Sequence, residues 1–155
     1  MEENTLIEDS GFQDFINDFE SENPTLRKLM ALSVHCEREM DTLIKNSCKN
    51  YGKLIDWTYR FKTELLFGIG AIEQPLFHNL QLLGTARNKF AHSINFSFDK
   101  LNQPSLKYND DGKDKSLSLK GMTDEEILMH MFTLTYTRLS FIKRGVEVNI
   151  RIKKM

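Results

Sequence analysis

The chain has only two cysteines, Cys36 and Cys48, among its 155 residues. Both fall on one predicted helix and are twelve residues apart, which separates them by roughly 18 Å at a rise of about 1.5 Å per residue. They therefore cannot form a disulfide within that helix, and the sequence offers no disulfide framework. We expect a reducing, cytoplasmic location.

The sequence also lacks a long apolar run and has little net charge. The longest apolar stretch, residues 65–72, is interrupted by glycines and is too short to cross a bilayer, so we expect no membrane partner. The N-terminus has no basic region followed by an apolar run, so we expect no secretory signal. A formal net charge of −1 gives no global basic signal for nucleic acid.

Charge is instead concentrated towards the two ends of the chain. Residues 1–22 hold eight acidic side chains and no Lys or Arg. The basic tail, residues 144–155 together with Lys143, holds five basic side chains and one acidic side chain, Glu147. We interpret the acidic segment as a solvated arm. The tail is either solvated or contributes contacts to phosphates.

Hydrophobic residues make up 40 % of the chain, and eleven of the aromatic residues are Phe. This composition is enough to fill a core without disulfides or metal. The length suits one domain over residues 1–155. Helical periodicity predicts a mainly α fold, a bundle of four to five helices, with helices near residues 11–20, 24–48, 54–67, 75–92 and 124–143.

Two helix starts carry clear signals. Asn23 is the predicted N-cap of the longest helix, with Pro24 at its first position, and Thr123 with Glu126 forms a capping box before the last helix. In the helix over 54–67, the spacing places Leu54, Trp57, Phe61 and Leu65 on one inward face. We therefore expect Trp57, Tyr59 and Phe61 to contribute to the core and not to a base-stacking platform.

Three short segments alternate between apolar and polar residues and predict a small β element, with strands near 94–98, 116–119 and 146–152. Residues 99–120 are otherwise polar and rich in turn residues, which predicts a loop-like insertion. A single strand cannot satisfy its own backbone groups. The last strand must therefore pair with one of the other two or with its equivalent in a second subunit, and we expect a homodimer.

The segment Arg87-Asn88-Lys89-Phe90-Ala91-His92 makes the most definite chemical suggestion. An arginine can clamp a phosphate through two hydrogen bonds, and a histidine can move a proton near neutral pH. Asn88 and His92 are four residues apart and share a helix face. Arg87 falls on the inward register, where an arginine needs a partner, and Glu37 on the edge of the longest helix is the predicted supporting residue.

A purely structural interpretation of these residues is also open. Arg87 would then be an internal ion-pair anchor, Asn88 a hydrogen bonder and His92 a cap of the helix C-terminus. Elsewhere, His35 and Cys36 with His130 match no zinc spacing. We predict no metal and no cofactor.

Residues 61–93, and most specifically 82–93, resemble the HEPN superfamily and, more narrowly, the mannitol operon repressor group. Proteins of that kind carry an Arg-Asn-x-x-Ala-His core on a late bundle helix, which reads Arg-Asn-Lys-Phe-Ala-His over 87–92 here. A preceding helix in those proteins ends near Leu-Gly-x-Ile, and the corresponding segment here is Phe-Gly-Ile-Gly over 67–70. The resemblance extends over about residues 25–142.

This resemblance implies an α-helical bundle, commonly dimeric, in which the arginine and the histidine face a shared cleft. Many HEPN proteins are metal-independent endoribonucleases of toxin–antitoxin or phage-defence systems. Arg87 and His92 would then be catalytic, with Asn88 the polar residue after the arginine, and RNA and an antitoxin or regulatory protein would be partners. The repressor group implies the alternative, a non-enzymatic transcriptional regulator. The 99–120 insertion and the alternating tail depart from the family pattern.

Overall fold

The structure is a computed structural model that describes residues 24–93, 96–102 and 104–145. Within these residues the predicted mainly α fold with a small β element is confirmed. Four helices surround one core and a two-stranded antiparallel sheet lies beside them. The elements are α1 (Pro24–Ser47), α2 (Tyr59–Gly68), α3 (Gln74–His92), β1 (Ser105–Asp110), β2 (Lys113–Ser118) and α4 (Asp124–Met131).

Helix α1 is the central element and packs against α2, α3 and α4. It is described from Pro24 onward, and the predicted N-cap Asn23 lies outside the described residues. Its buried side chains recur every three or four residues and form one apolar stripe: Leu29, Leu32, Cys36, Met40, Leu43 and Ile44. Each fully buried aliphatic side chain of this kind contributes roughly 1.5–3 kcal/mol relative to exposure.

Helix α2 begins later than predicted and presents a different face. Thr58 is its N-cap and accepts a hydrogen bond from the Phe61 backbone N–H, so the helix starts at Tyr59. The buried side chains are Tyr59, Lys62, Thr63 and Leu66. Trp57 and Phe61 are 44 % and 55 % exposed. The predicted core role of these two aromatic residues is therefore wrong, because the helix packs with a phase that the apolar spacing did not indicate.

Helix α3 matches its predicted range to one residue and buries apolar side chains at helical spacing, among them Leu76, Leu80, Leu83 and Phe90. It also buries a polar residue, Asn79. The Asn79 side-chain amide donates to the carbonyl of Lys107 at 2.7 Å, and its oxygen accepts from the Lys107 N–H at 2.7 Å. Asn79 thus pairs with β1 as a neighbouring strand would, and it fixes the sheet against α3.

The hairpin replaces the predicted loop over 99–120. Its strands pair from Ser105 opposite Ser118 to Asp110 opposite Lys113. Asp111 and Gly112 both have positive φ, 51° and 77°, as a tight two-residue hairpin turn requires. The predicted strand 116–119 is the end of β2, which extends back to Lys113. The segment also contributes to the core through Leu101, Leu106 and Leu119, so it is an integral part of the fold.

The predicted strand near 94–98 is wrong in its described part. Phe98 begins a 3-10 turn that extends to Lys100, and residues 94–95 lie outside the described residues. The rings of Phe96 and Phe98 pack around Phe90, with centroids 4.8 and 5.0 Å from its ring. Their alternation thus reflects packing on α3 and not sheet pairing. The predicted helix 11–20 and strand 146–152 also lie outside the described residues.

The last helix contains a π-helical stretch that the sequence did not predict. The capping box is confirmed, since Thr123 accepts from the Glu126 N–H and Glu126 accepts from the Thr123 N–H at 2.8 Å. After α4 the chain forms a π-helix over Phe132–Thr137 and continues as α-helix over 138–145. Within the π-helix Phe132 is 46 % exposed and stacks on Tyr136.

Candidate functional site

Arg87 lies on α3 with its side chain half-buried and its orientation fixed by two neighbours. The guanidinium carbon lies 5.0 Å from the centroid of the Tyr59 ring, a cation–π contact between α3 and α2. The Nε and Nη2 groups of Arg87 donate to the Asn88 side-chain oxygen at 3.3 and 3.2 Å. Asn88 therefore orients the arginine while the remaining N–H donors of the guanidinium are left for a ligand.

The Tyr59 ring that supports Arg87 is itself held tightly. Its hydroxyl donates to the Leu80 carbonyl at 3.0 Å, and burial raises its pKa well above the usual value, although the nearby Arg87 charge acts in the opposite direction. Gly84 makes this packing possible, because a Cβ at that position would lie 2.9 Å from Tyr59 Cε1. A glycine on α3 is thus what allows the ring to approach the helix.

These residues line a polar groove of about 560 Å³ between α2 and α3, which we call the Arg87 groove. Its two cations differ in availability. Arg60 forms an exposed ion pair with Glu64 at 2.9 Å, whereas in the part of the chain that the structure describes Arg87 has no carboxylate partner. The lining residues are Thr58, Tyr59, Arg60, Thr63, Gln81, Gly84, Thr85, Arg87 and Asn88. Such a groove can bind an anion such as a phosphate.

Glu37 is not the partner of Arg87, so the predicted pairing is wrong. Its carboxylate binds the Lys62 ammonium at 2.8 Å, and Asp41 binds the same ammonium at 2.8 Å. Lys62 is only 3 % exposed. Burial alone lowers the pKa of Lys62, but Asp41 and Glu37 outweigh it and raise the pKa above the usual 10.5. The N-cap at Thr58 indicates where α2 starts, but no local sequence signal places Lys62 on the inward face of the helix.

His92 is the last residue of α3, is exposed, and does not line the Arg87 groove. Five residues along an α-helix correspond to a rotation of roughly 140° between the two side chains. The structure therefore brings Arg87 and Asn88 together at the groove, while His92, one turn beyond Asn88 at the end of α3, is not among the residues that line it.

Two of the three residues considered for a metal, Cys36 and His35, make other contacts. Cys36 is buried, and its thiol lies 3.7 Å from the Thr135 hydroxyl. Burial raises the pKa of Cys36 to about 12, Thr135 acts against this shift and the Glu39 charge adds to it, so the thiolate that binds metals is strongly disfavoured. His35 contacts the Tyr136 ring edge-on. No group of His, Cys, Asp and Glu in residues 24–93, 96–102 and 104–145 has the arrangement of a metal site.

No protein-family model matches this chain, and no curated protein or solved structure matches it. The resemblance to the HEPN superfamily therefore remains a prediction from residues 61–93. None of the helices in the described part of the chain combines the length and the apolar character that a membrane span requires.

Proposed function

We propose that this protein is a HEPN-like, metal-independent endoribonuclease of the toxin or phage-defence type, in which Arg87 and His92 act on an RNA phosphate. One observation supports this most strongly. The Arg87 guanidinium is oriented by Tyr59 and Asn88 at an open polar groove and, among the described residues, is not neutralised by a carboxylate. A preorganised cation of this kind is what phosphate binding and charge stabilisation require.

The reaction follows from the chemistry of the two groups. The 2′-hydroxyl of the RNA attacks the adjacent phosphorus, the bond from phosphorus to the 5′-oxygen breaks, and a 2′,3′-cyclic phosphate forms. The 2′-hydroxyl proton goes to a base and the leaving 5′-oxygen takes up a proton, and His92 serves one or both transfers. Arg87 binds non-bridging oxygens and stabilises the charge of the pentavalent phosphorane.

The position of His92 makes a second subunit part of this proposal. Because His92 does not line the Arg87 groove within one chain, we propose a homodimer in which His92 of one copy faces the Arg87 groove of the other. The HEPN resemblance implies a dimer in which the arginine and the histidine face a shared cleft, and such a cleft is compatible with this arrangement. The reaction takes place in the cytoplasm, where RNA and an antitoxin or regulatory protein are available.

The catalytic test measures RNA cleavage by the purified protein in EDTA. The wild type should produce 2′,3′-cyclic phosphate ends and slow growth when expressed alone. His92→Ala should lower the cleavage rate by about 10²–10⁴-fold, and Arg87→Ala by about 10²–10³-fold, while both remain folded by circular dichroism. The matched controls are His35→Ala and Arg38→Ala, which change exposed residues of α1 and should leave cleavage unchanged. Equal cleavage by His92→Ala and wild type would refute the catalytic assignment.

A mixing experiment tests the shared site. If each site takes Arg87 from one copy and His92 from the other, a heterodimer of Arg87→Ala with His92→Ala contains one intact site. Mixing the two inactive variants should therefore restore part of the cleavage activity. If both residues act within one chain, the mixture should stay inactive.

A non-enzymatic transcriptional regulator resembling the mannitol operon repressor is the second proposal. The observation that favours it is the separation of His92 from the Arg87 groove within one chain. The groove would then recognise a phosphate without cleaving it. Under this function the wild type should bind nucleic acid, Arg87→Ala should weaken that binding, and no cyclic phosphate should form.

A further inference from the structure

Two large aromatic side chains are exposed directly beside the Arg87 groove. The rings of Trp57 and Phe61 have centroids 5.9 Å apart and planes inclined by 63°. They line a shallow cleft of about 310 Å³ together with Asp56 and Thr58, and we call this the aromatic cleft. Thr58 lines both the aromatic cleft and the Arg87 groove. The two surfaces are therefore adjacent.

The backbone that carries the two rings is well fixed. The Thr58 side chain accepts from the Phe61 N–H at 3.4 Å, and the Trp57 N–H donates to the Leu54 carbonyl at 3.2 Å. In this edge-to-face arrangement the edge of one ring contacts one face of the other, and the remaining ring faces are not covered by the partner ring. A flat ligand can therefore stack on a ring face without first separating the pair.

We propose that Trp57 and Phe61 form a base-stacking platform for single-stranded RNA whose backbone phosphate lies at Arg87. This inference rests on the proposed function in taking RNA as the ligand, and it adds the site that receives a base. An exposed aromatic surface that continues into a groove with an available cation is the combination that single-stranded nucleic acids recognise. The bases stack on the rings and the phosphates follow the cations.

The aromatic cleft and the Arg87 groove carry charges of opposite sign. The Asp56 carboxylate at the aromatic cleft disfavours a phosphate there, and it can accept a hydrogen bond from the amino group of a base. Arg87 on the other side of Thr58 favours the phosphate, whereas Arg60 there is paired with Glu64. This asymmetry favours RNA over a protein partner as the occupant, since an apolar protein surface would gain nothing from the adjacent guanidinium.

The experiment uses Trp57 as its own reporter, because it is the single tryptophan of the chain. The full-length protein is titrated with a 2′-O-methyl oligonucleotide, which cannot be cleaved because its 2′-oxygen is blocked. A matched oligonucleotide of the same length with abasic residues presents the same phosphates without bases. We expect the complete oligonucleotide to quench Trp57 fluorescence and the abasic one to leave it nearly unchanged.

Variants separate stacking from charge. Phe61→Leu keeps the apolar bulk and loses the ring, so affinity should fall between about 5-fold and 100-fold, whereas Phe61→Tyr should retain it. Phe61→Leu should leave the salt dependence of binding unchanged, while Arg87→Ala should reduce its slope. The matched control is Phe141→Leu, which changes an exposed Phe on the last helix and should bind as the wild type does.

Three results would overturn the platform: equal quenching by the abasic oligonucleotide, equal affinity of Phe61→Leu and Phe141→Leu, or Trp57 emission that responds to protein concentration and not to RNA. The last result would assign the aromatic cleft to a protein interface. Cleavage without base-dependent quenching would refute the platform and leave the nuclease proposal standing. Base-dependent quenching without cleavage would support the platform and refute catalysis.

Discussion

At the scale of single residues, Gly84 and Tyr59 decide how the candidate site is built. The Tyr59 ring approaches α3 so closely that only a residue without a side chain fits opposite it. The ring in turn supports the Arg87 guanidinium. The position of the cation therefore depends on a glycine three residues before it on the same helix.

We predict that Gly84→Ala destabilises the fold and disturbs the site together. The new methyl group would have to displace the buried Tyr59 ring, and overpacking of this kind costs about 1–3 kcal/mol. Urea unfolding measures the loss of stability, and RNA affinity reports the displaced Arg87. Gly68→Ala is the matched control, because a Cβ there meets nothing within 4 Å, and it should not be destabilising. An equal unfolding midpoint for both variants would contradict the packing argument.

At the scale of elements, α1 and α2 are joined by a buried ion network. Lys62 is almost fully buried, while the side chains of Glu37 and Asp41 are 30 % and 24 % exposed. A buried ammonium without a carboxylate is strongly unfavourable. The two carboxylates on α1 therefore fix the phase in which α2 packs.

We predict a non-additive response of this network. Glu37→Gln leaves Asp41 to pair with Lys62 and should destabilise the protein only moderately. Glu37→Gln combined with Asp41→Asn leaves the buried ammonium unpaired and should cost about 3–5 kcal/mol, more than the sum of the single changes. Urea unfolding is the measurement, with Glu64→Gln as the control.

The Glu64 control breaks an exposed pair with Arg60 and should cost less than about 1 kcal/mol. If the double variant unfolds at the same urea concentration as the control, the network does not hold the two helices together.

At the scale of the whole molecule, three buried side chains bind their protons more tightly in the folded chain than in the unfolded chain. They are Cys36, Tyr59 and Lys62. The pKa of Cys36 is raised to about 12 and that of Tyr59 is raised well above 10, both mainly by burial. The pKa of Lys62 is also raised, because Asp41 and Glu37 outweigh the effect of burial. Above the pKa values of the unfolded chain, the folded state binds more protons than the unfolded state, so its stability falls as pH rises.

We predict pronounced alkaline destabilisation. The free energy of unfolding should change little below about pH 9. At higher pH it should fall by up to about 1.4 kcal/mol per pH unit for each group that is deprotonated in the unfolded chain but still protonated in the folded chain. Urea midpoints measured across this pH range test the slope. Cys36→Ala should reduce the decline between about pH 9 and 12. A midpoint that is independent of pH above pH 9 would contradict the prediction.

Much of the fold follows from local patterns. The long amphipathic stripes predicted α1, α3 and the last helix, and the capping box placed the start of α4. Periodicity does not predict which face of the short helix α2 is buried, because apolar side chains occur on both faces. Leu66 lies on the buried face and Phe61 on the exposed one. The hairpin was largely missed because its strands are polar, and its attachment depends on Asn79, a residue far away in sequence.

The sequence by itself determined that Arg87, Asn88 and His92 lie on one helix, since their spacing and the surrounding apolar pattern are local properties. It did not determine their partners. Only the tertiary structure assigned Glu37 to Lys62, set Arg87 against Tyr59 and left His92 outside the groove. The physical reason is that partner choice depends on the phase in which α2 packs against α1 and α3. That phase is set by the fit of the Tyr59 ring against Gly84 and by the charge of a buried lysine, which are both contacts between residues distant in the chain.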